Sequence, residues 1–394
     1  MTSSSRIVIV GASIGGLTVA EILRSEGFDG SVVLLGDEDR LPYNRPPLSK
    51  QVLLGEWEAT DAAIRSPEEI QALDIEIRTG ETALGVDLNA RTLHTDAGPT
   101  TFDELVIATG TEPQAHPVLP GAPALRTMDD ALRLRDLLAV ARRTAVIGSG
   151  ILGSELASAA RKYGSDALLI GRSGTLSFGG VGSLLSDELA RLHAENGVEL
   201  SLRNEIVTAE PLSPGGYRLS FDNSSTRDVD LAVVMIGGLP RTGWLAGSGL
   251  EIGDGVICDS TGLAAPGVSA VGDVASWLDP IAGTQRRVEH QSNAIEQAIA
   301  VGKRLARGVI TEAPVVPLFW SEIHETRITA YGWFSPDGAW DSLPAEKNAS
   351  SRIFGSSDPT GALRGVVGWN TKPADFRRAR SHVDIEAASP VSTS

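Results

Sequence analysis

The feature that most constrains the fold is a duplication. Arg6 to Gly16 reads Arg-Ile-Val-Ile-Val-Gly-Ala-Ser-Ile-Gly-Gly, and Thr144 to Glu155 reads Thr-Ala-Val-Ile-Gly-Ser-Gly-Ile-Leu-Gly-Ser-Glu. Each opens on a run of branched apolar residues, passes through a glycine turn and continues as a helical pattern, over residues 17–25 and 156–163. A second apolar run follows each helix, at 31–35 and 167–170. Strand, helix and strand in that order make a βαβ unit, which requires a parallel sheet. The fold class is therefore α/β, with two such units in one chain.

A glycine turn between a buried strand and a helix lets a phosphate approach backbone N–H groups at the positive end of the helix. The second unit keeps all three glycines, Gly148, Gly150 and Gly153. The first has Ser13 in the middle place and keeps Gly11, Gly15 and Gly16. Ile14, Ile151 and Leu152 lie within these turns and join them as candidate dinucleotide contacts. One glycine pattern alone is weak, since such turns occur in loops that bind nothing. Two, each after an apolar strand and before a helix, point to two dinucleotide sites. An acid about 20 residues further on would read the adenosine ribose hydroxyls. Asp37 stands there in the first unit and suits a dinucleotide without a 2′-phosphate. The second unit has Gly171 and Arg172 instead. Arg172 reads either as a partner for a 2′-phosphate or as a solvated arginine beside a weakened site.

Other apolar runs end in small residues: 102–108 at Thr109-Gly110, 231–236 at Gly237-Gly238, and 268–271 at Gly272-Asp273. Residues 134–141 and 296–305 carry helical patterns. From Pro314 the character changes to a small mixed domain on an antiparallel sheet, with a polar stretch at 341–351 and a frayed end at 387–394. A chain of 394 residues holds two or three domains. Its formal charge of −16 argues against nucleic acid. Cys258 is the one cysteine, which excludes an internal disulfide, a Cys-x-x-Cys pair and a cysteine-bound metal or cluster. It reads as a small buried residue. The six histidines show no metal-site spacing. No apolar run is long enough to span a membrane, and the first residues do not read as a signal peptide. The expectation is a cytoplasmic protein with no metal, no nucleic acid and no membrane.

One motif is far more specific than the glycine turns. Asp37-Glu-Asp-Arg-Leu-Pro-Tyr-Asn-Arg-Pro-Pro-Leu-Ser-Lys50 resembles the FAD-dependent NAD(P)H:ferredoxin reductases of bacterial oxygenase systems, to which apoptosis-inducing factor is related. The resemblance continues in order through Leu105 to Gly110, Leu125-Arg126-Thr127, Gly272-Asp273-Val274, Arg287 to His290 with Asn293-Ala294, and Phe319-Trp320-Ser321. It implies two Rossmann-like dinucleotide-binding domains of glutathione-reductase type plus a small C-terminal α+β domain. Residues 1–112 and 252–313 would hold FAD, 113–251 NADH or NADPH, and 314–394 would form the C-terminal domain.

By the same resemblance, Gly11 to Gly16 cradle the FAD pyrophosphate and Asp37 takes the adenosine ribose. Arg126 meets the pyrophosphate, Asp273 the ribityl chain beside Gly272, and the backbone at Thr82 and Ala83 the adenine. Arg45, Thr109, Gly110, Gln291 and Gly237 complete the candidate cofactor contacts. Lys50 reaches the flavin edge, Glu155 pairs with it, and Trp320 lies close to the ring. Glu155 would also be favoured by the helix dipole alone, and Trp320 has a plain core tryptophan as its alternative. The implied function passes electrons from the nicotinamide through FAD to a small ferredoxin-type iron–sulfur protein. With no cysteine pair, electrons leave directly from the flavin. The alternatives are a stand-alone oxidoreductase acting on a quinone, oxygen or another small molecule, and a redox-linked signalling protein. Arg364, Lys372, Arg377, Arg378 and Arg380 form a basic tract that reads either as part of a docking face for an acidic ferredoxin or as a solvated charge run. Family members often carry an arginine within the segment Leu176 to Gly180, and this chain does not; together with Gly171 and Arg172 this leaves open a drifted nicotinamide site. Both monomer and homodimer are compatible with the sequence.

Overall fold

The computed structural model describes residues 5–384 apart from 177–180, 214, 281–282, 312–315, 335–338 and 344–350. The chain end at 387–394, most of the polar stretch at 341–351 and most of the segment after Leu176 therefore lie outside the described residues. Both duplicated runs form the strands of parallel sheets. In the first unit the order is Leu263–Ala265, Val268–Ala270, Glu104–Ile107, Arg6–Val10, Ser31–Gly36 and Glu76–Thr79, parallel except for the edge hairpin. In the second it is Glu199–Leu202, Asp166–Gly171, Arg143–Ile147 and Leu231–Val234, all parallel. Each unit adds a three-stranded antiparallel meander: Ala83–Asp87, Thr92–Thr95 and Gly98–Thr101 in one, Ile206–Pro211, Tyr217–Phe221 and Thr226–Val229 in the other. Covered on both faces, the central strands read as continuous apolar runs because both sides of the pleat are buried.

The repeat holds at the level of single atoms. Gly11 and Gly148 both have φ of +120°, and a Cβ on either would lie 2.2 or 2.1 Å from the carbonyl oxygen of Ala108 or Met235. No other residue type fits there. A Cβ on Gly16 or Gly153 would press on the carbonyl of Gly11 or Gly148 in the same way, so these two glycines set the helix against the strand. The helices Ile14–Ser25 and Ile151–Lys162 begin earlier than hydrophobic pattern suggests, because their first turns are the small residues of the glycine turns themselves. Helix Met128–Val140 likewise starts before its apolar stripe, at a capping box in which the Thr127 hydroxyl accepts from the Asp130 N–H at 3.1 Å. The last long helix is Gln291–Arg307.

Thr111–Pro113 pairs antiparallel with Gly238–Pro240, tying the segment that leaves the first unit to the segment that returns to it. Beyond this, five antiparallel strands form the last sheet, in the order Leu318–Ile323, Thr326–Gly332, Leu363–Trp369, Arg352–Ser357 and Ala339–Leu343. One face carries helix Pro373–Arg380, with Phe376 against Tyr331, Ile353 and Val366. The other shares an apolar core with the second unit, in which Phe319, Ile323 and Ile328 join Leu156 and Leu169. That shared core seats the sheet on helix Ile151–Lys162. Among the described residues, no helix is long and apolar enough to cross a membrane.

Candidate active site

A cavity of about 970 Å³ opens where the two units and the last sheet meet. The first unit contributes Gly11, Ser13, Ile14 and Gly15 from its helix start, Asp37 and Arg45 beyond the second strand, and Thr82 and Ala83 from the meander. Thr109, Gly110, Gly272, Asp273 and Gln291 line it from the neighbouring strand ends and the last long helix. The second unit contributes Gly150, Ile151, Leu152, Glu155 and Gly237, while Lys50, Arg126 and Trp320 close the remaining sides. Gly16, Gly148 and Gly153 do not line the cavity; they act through packing, as above. Arg172 is exposed and lies outside it.

Both glycine-turn helices present a phosphate-ready end. Neither has an acid in its first turn, and neither Ser13 nor Gly150 caps its helix with a side chain. The opening N–H groups thus keep their capacity for an anion. Two arginines add charge nearby. Arg45 Nη1 donates to the Arg126 carbonyl at 2.6 Å and Nη2 to Glu38 at 2.7 Å, and Arg126 sits 3.4 Å from Asp273. Burial pushes the Arg126 guanidinium below its ordinary value, with Arg45 adding to the effect and Asp273 opposing it. Burial acts on Arg45 in the same direction, but Tyr43 and Glu38 outweigh it and hold that pKa up. Tyr43 donates to Glu38 and accepts from the Met128 N–H at 2.9 Å, with burial raising its own pKa. Burial also pushes the Asp37 carboxyl up, yet the hydrogen bond and charge of Arg241, 2.7 Å away, leave it below the usual carboxylate value. Asp37 is therefore an anion that can accept from hydroxyls.

At the other end three chain segments converge on one carboxylate. The Pro46-Pro47 pair opens a tight helical turn, Pro46–Ser49, that carries Ser49 and Lys50 inward. Lys50 Nζ meets Glu155 at 2.7 Å, with only 10% and 2% of their side chains exposed. Glu155 also accepts from Ser321 Oγ at 2.6 Å and from Ser49 Oγ. Glu155 lies past the first helical turn, so its buried carboxyl is satisfied by this cage rather than by the helix end. The Lys50 ammonium stands 5.0 Å from the Trp320 ring centroid, and Arg327 stands 5.5 Å from the same ring. Trp320 is 42% exposed, which rules out a plain core role. His290 stacks on Phe319 at the cavity wall, and Gln291 donates to Asn44 at 3.0 Å.

Cys258 is fully buried on strand Gly255–Cys258, away from the cavity lining, and burial pushes its thiol up to about 12. No cysteine thiol serves the site. The basic tract is divided: Arg364 is only 8% exposed and is tied to Asp358 at 2.6 Å and Asp384 at 3.6 Å, which corrects its expected place on a docking face. Arg380 lies over Tyr331 and, like Lys372, Arg377 and Arg378, is exposed. The structure also brings in Arg241, Glu38, Ser49 and Ser321. Ser49 and Ser321 stand inside the motifs quoted above; Arg241 had no sequence signal.

These residues fit FAD: a glycine turn in which Gly11 admits no Cβ, helix N–H groups and arginines for a pyrophosphate, an ionised acid for a ribose, and a buried ammonium for the ring. The comparisons agree. Residues 5–298 match the family described as pyridine nucleotide-disulphide oxidoreductase. The chain is 32% identical to rhodocoxin reductase of Rhodococcus erythropolis, over 96% of its length and 90% of the relative's. It is 31% identical to the benzene 1,2-dioxygenase system ferredoxin–NAD(+) reductase subunit of Pseudomonas putida, covering 97% and 93%. The covalent putidaredoxin reductase–putidaredoxin complex contains a chain that superposes with a TM-score of 0.89 at 25% identity, covering 96% of this chain and 93% of that one. This chain belongs to the pyridine nucleotide-disulphide oxidoreductase family.

Proposed function

We propose that this protein is a flavoprotein reductase that passes electrons from NAD(P)H through FAD to a small iron–sulfur protein serving an oxygenase. The observation that carries this reading is the buried Lys50–Glu155 pair beneath a half-exposed Trp320, in a site that has no thiol. Members that reduce disulfides need a cysteine pair at that place; here the tryptophan reaches the surface instead. The names of the relatives, ferredoxin reductases of oxygenase systems, support the same partner class.

Bound FAD supplies the ability to accept a hydride as an electron pair and to release electrons singly. The chain supplies position and charge. Gly11, Ser13, Ile14 and Gly15 hold the pyrophosphate with Arg126, Asp37 takes the adenosine ribose, Asp273 the ribityl hydroxyls, and Thr82 and Ala83 the adenine. Lys50 keeps a cation beside the ring, and Glu155, Ser49 and Ser321 hold Lys50 in place. Gly150, Ile151 and Leu152 offer the second cradle to the nicotinamide coenzyme. In this reading residues 1–112 with 252–313 are the FAD domain, 113–251 the coenzyme domain and 314–394 the C-terminal domain. Trp320, with Arg327 over its ring, marks the exit toward an acidic partner.

The test is anaerobic reduction of oxidised putidaredoxin by catalytic amounts of the FAD-loaded protein with NADH or NADPH. The cluster's visible absorbance is expected to bleach at a rate that saturates with putidaredoxin. Rapid turnover with oxygen or a quinone and none with any iron–sulfur protein would contradict the reading.

A further inference from the structure

The duplication lets one half of the chain serve as the reference for the other. Val10 pairs with Leu35 and Ile147 with Ile170; the Gly11 N–H donates to Leu35 at 2.7 Å and the Gly148 N–H to Ile170 at 2.8 Å. The residues that follow are therefore equivalent: Gly36 with Gly171, and Asp37 with Arg172. The match extends to the middle of each turn. A Cβ on Gly36 would strike Ala12, and one on Gly171 would strike Ser149, its Oγ only 2.4 Å away.

The next strand preserves the register. Gly36 pairs with Thr79 and Gly171 with Leu202. The Gly80 N–H donates to the Glu38 carbonyl at 3.0 Å, and the Arg203 N–H donates to the Ser173 carbonyl at 3.1 Å. Arg203 thus occupies the place of Gly80, and it does so in the same left-handed backbone, with φ of +58° against +69°. That conformation suits glycine and is costly for an arginine. The first unit accepts glycine there; the second places a guanidinium there against the backbone's preference. Its Nε lies 2.3 Å from where a Cβ on Gly174 would stand, which sets it against the loop that follows Arg172.

The positions of Asp37, which lines the cavity, and Gly80, which directly precedes the lining residues Glu81 and Thr82, are both arginine in the second unit. Among the described residues neither Arg172 nor Arg203 has an ion pair, so neither serves as a structural counter-charge. An acid at the strand end accepts hydrogen bonds from a ribose 2′-hydroxyl and repels a 2′-phosphate; arginine does the reverse. We propose that the coenzyme unit selects the 2′-phosphorylated dinucleotide NADPH, with Arg172 and Arg203 holding the 2′-phosphate. This rests on the reductase reading of the same site and departs from the relatives named as ferredoxin–NAD(+) reductases.

The test uses FAD-loaded protein and the coenzyme fragments 2′,5′-ADP and 5′-AMP, measured by calorimetry, so that binding is read without turnover. The 2′-phosphate is expected to tighten binding by about ten- to a hundredfold, the range for charge-assisted hydrogen bonds. Arg172→Ala and Arg203→Gly should each remove most of that advantage while leaving 5′-AMP unchanged. Arg203→Gly restores the residue that its own duplicate uses, so its folding is not in question. Binding of 5′-AMP as tight as 2′,5′-ADP, binding of neither, or an equal loss of both in the variants would overturn the proposal. Anaerobic flavin bleaching separates the two levels. Bleaching by NADH as fast as by NADPH would end the specificity proposal and leave the reductase reading standing; bleaching by neither would end the reductase reading itself.

Discussion

Glu155 is accommodated in its buried place because Lys50, Ser49 and Ser321 all direct donors to it. Removing the carboxylate leaves an ammonium and two hydroxyls buried without their acceptor. Glu155→Ala is expected to cost about 3–5 kcal/mol of stability, the usual cost of breaking a buried ion pair, measurable by denaturant unfolding of the FAD-loaded protein. The charge has a separate signature. Glu155→Gln keeps hydrogen-bonding capacity but removes an anion that the proposed function sets beside the flavin, so the midpoint potential should rise in a redox titration. Lys50→Met removes the cation and should lower it. Shifts of the same sign in both variants would show that this pair does not face the flavin. The contrast between Asp37 and Arg241 shows why sequence alone reaches only part of a site. Asp37 was legible as an acid at a fixed offset from a glycine turn, whereas its partner lies 204 residues away and no local pattern encodes the contact.

Among the elements, the turn between strands Leu318–Ile323 and Thr326–Gly332 locks onto the second unit. The His324 N–H donates to Ser158 at 2.9 Å, and its ring nitrogen lies 2.9 Å from that of His193, a fully buried residue on helix Gly182–Glu195. Burial drives His193 down to about 3, with His324 adding to the effect, and drives His324 down to about 4, helped by Lys162 and Arg161. The ordinary value is 6.5 for both, so below it the unfolded chain binds protons that the folded chain refuses. Stability is therefore fully present above pH 6.5 and falls as the pH drops toward the folded values, by up to about 1.4 kcal/mol per pH unit for each proton involved. Thermal melts between pH 4 and 8 should show this loss, with a shallower slope in His193→Gln; an unchanged slope would remove the pair as its cause. None of this was visible in the pattern of residues. The strands and glycine turns were legible because a positive φ and a carbonyl at 2.2 Å exclude other residue types. Helix starts are not legible where the first turn is made of small residues, since these carry no apolar stripe.

For the whole molecule, the order of motifs already implied two Rossmann-like units and a small third domain on an antiparallel sheet, and the parallel register of the first two with the antiparallel register of the last bears out that fold. The position of the docking charge was less legible. A tract of arginines in sequence divides in space, with Arg364 buried on its own acids and Arg327, far from that tract in sequence, lying over Trp320. Charge near the exit should govern encounter with an acidic partner more than affinity. Arg327→Glu is expected to raise the KM for putidaredoxin by about tenfold at low salt and to flatten its salt dependence. The pair Arg377→Glu and Arg378→Glu tests the exposed remainder of the tract; a larger effect there than at Arg327 would move the docking face to helix Pro373–Arg380. In the proposed function electrons pass from nicotinamide to flavin inside this cavity. Anaerobic stopped-flow mixing of the FAD-loaded protein with NADPH, and separately with NADH, tests that step directly. Complete bleaching of the oxidised flavin band is expected with one equivalent of coenzyme, fastest with NADPH. A flavin that neither coenzyme bleaches would contradict it.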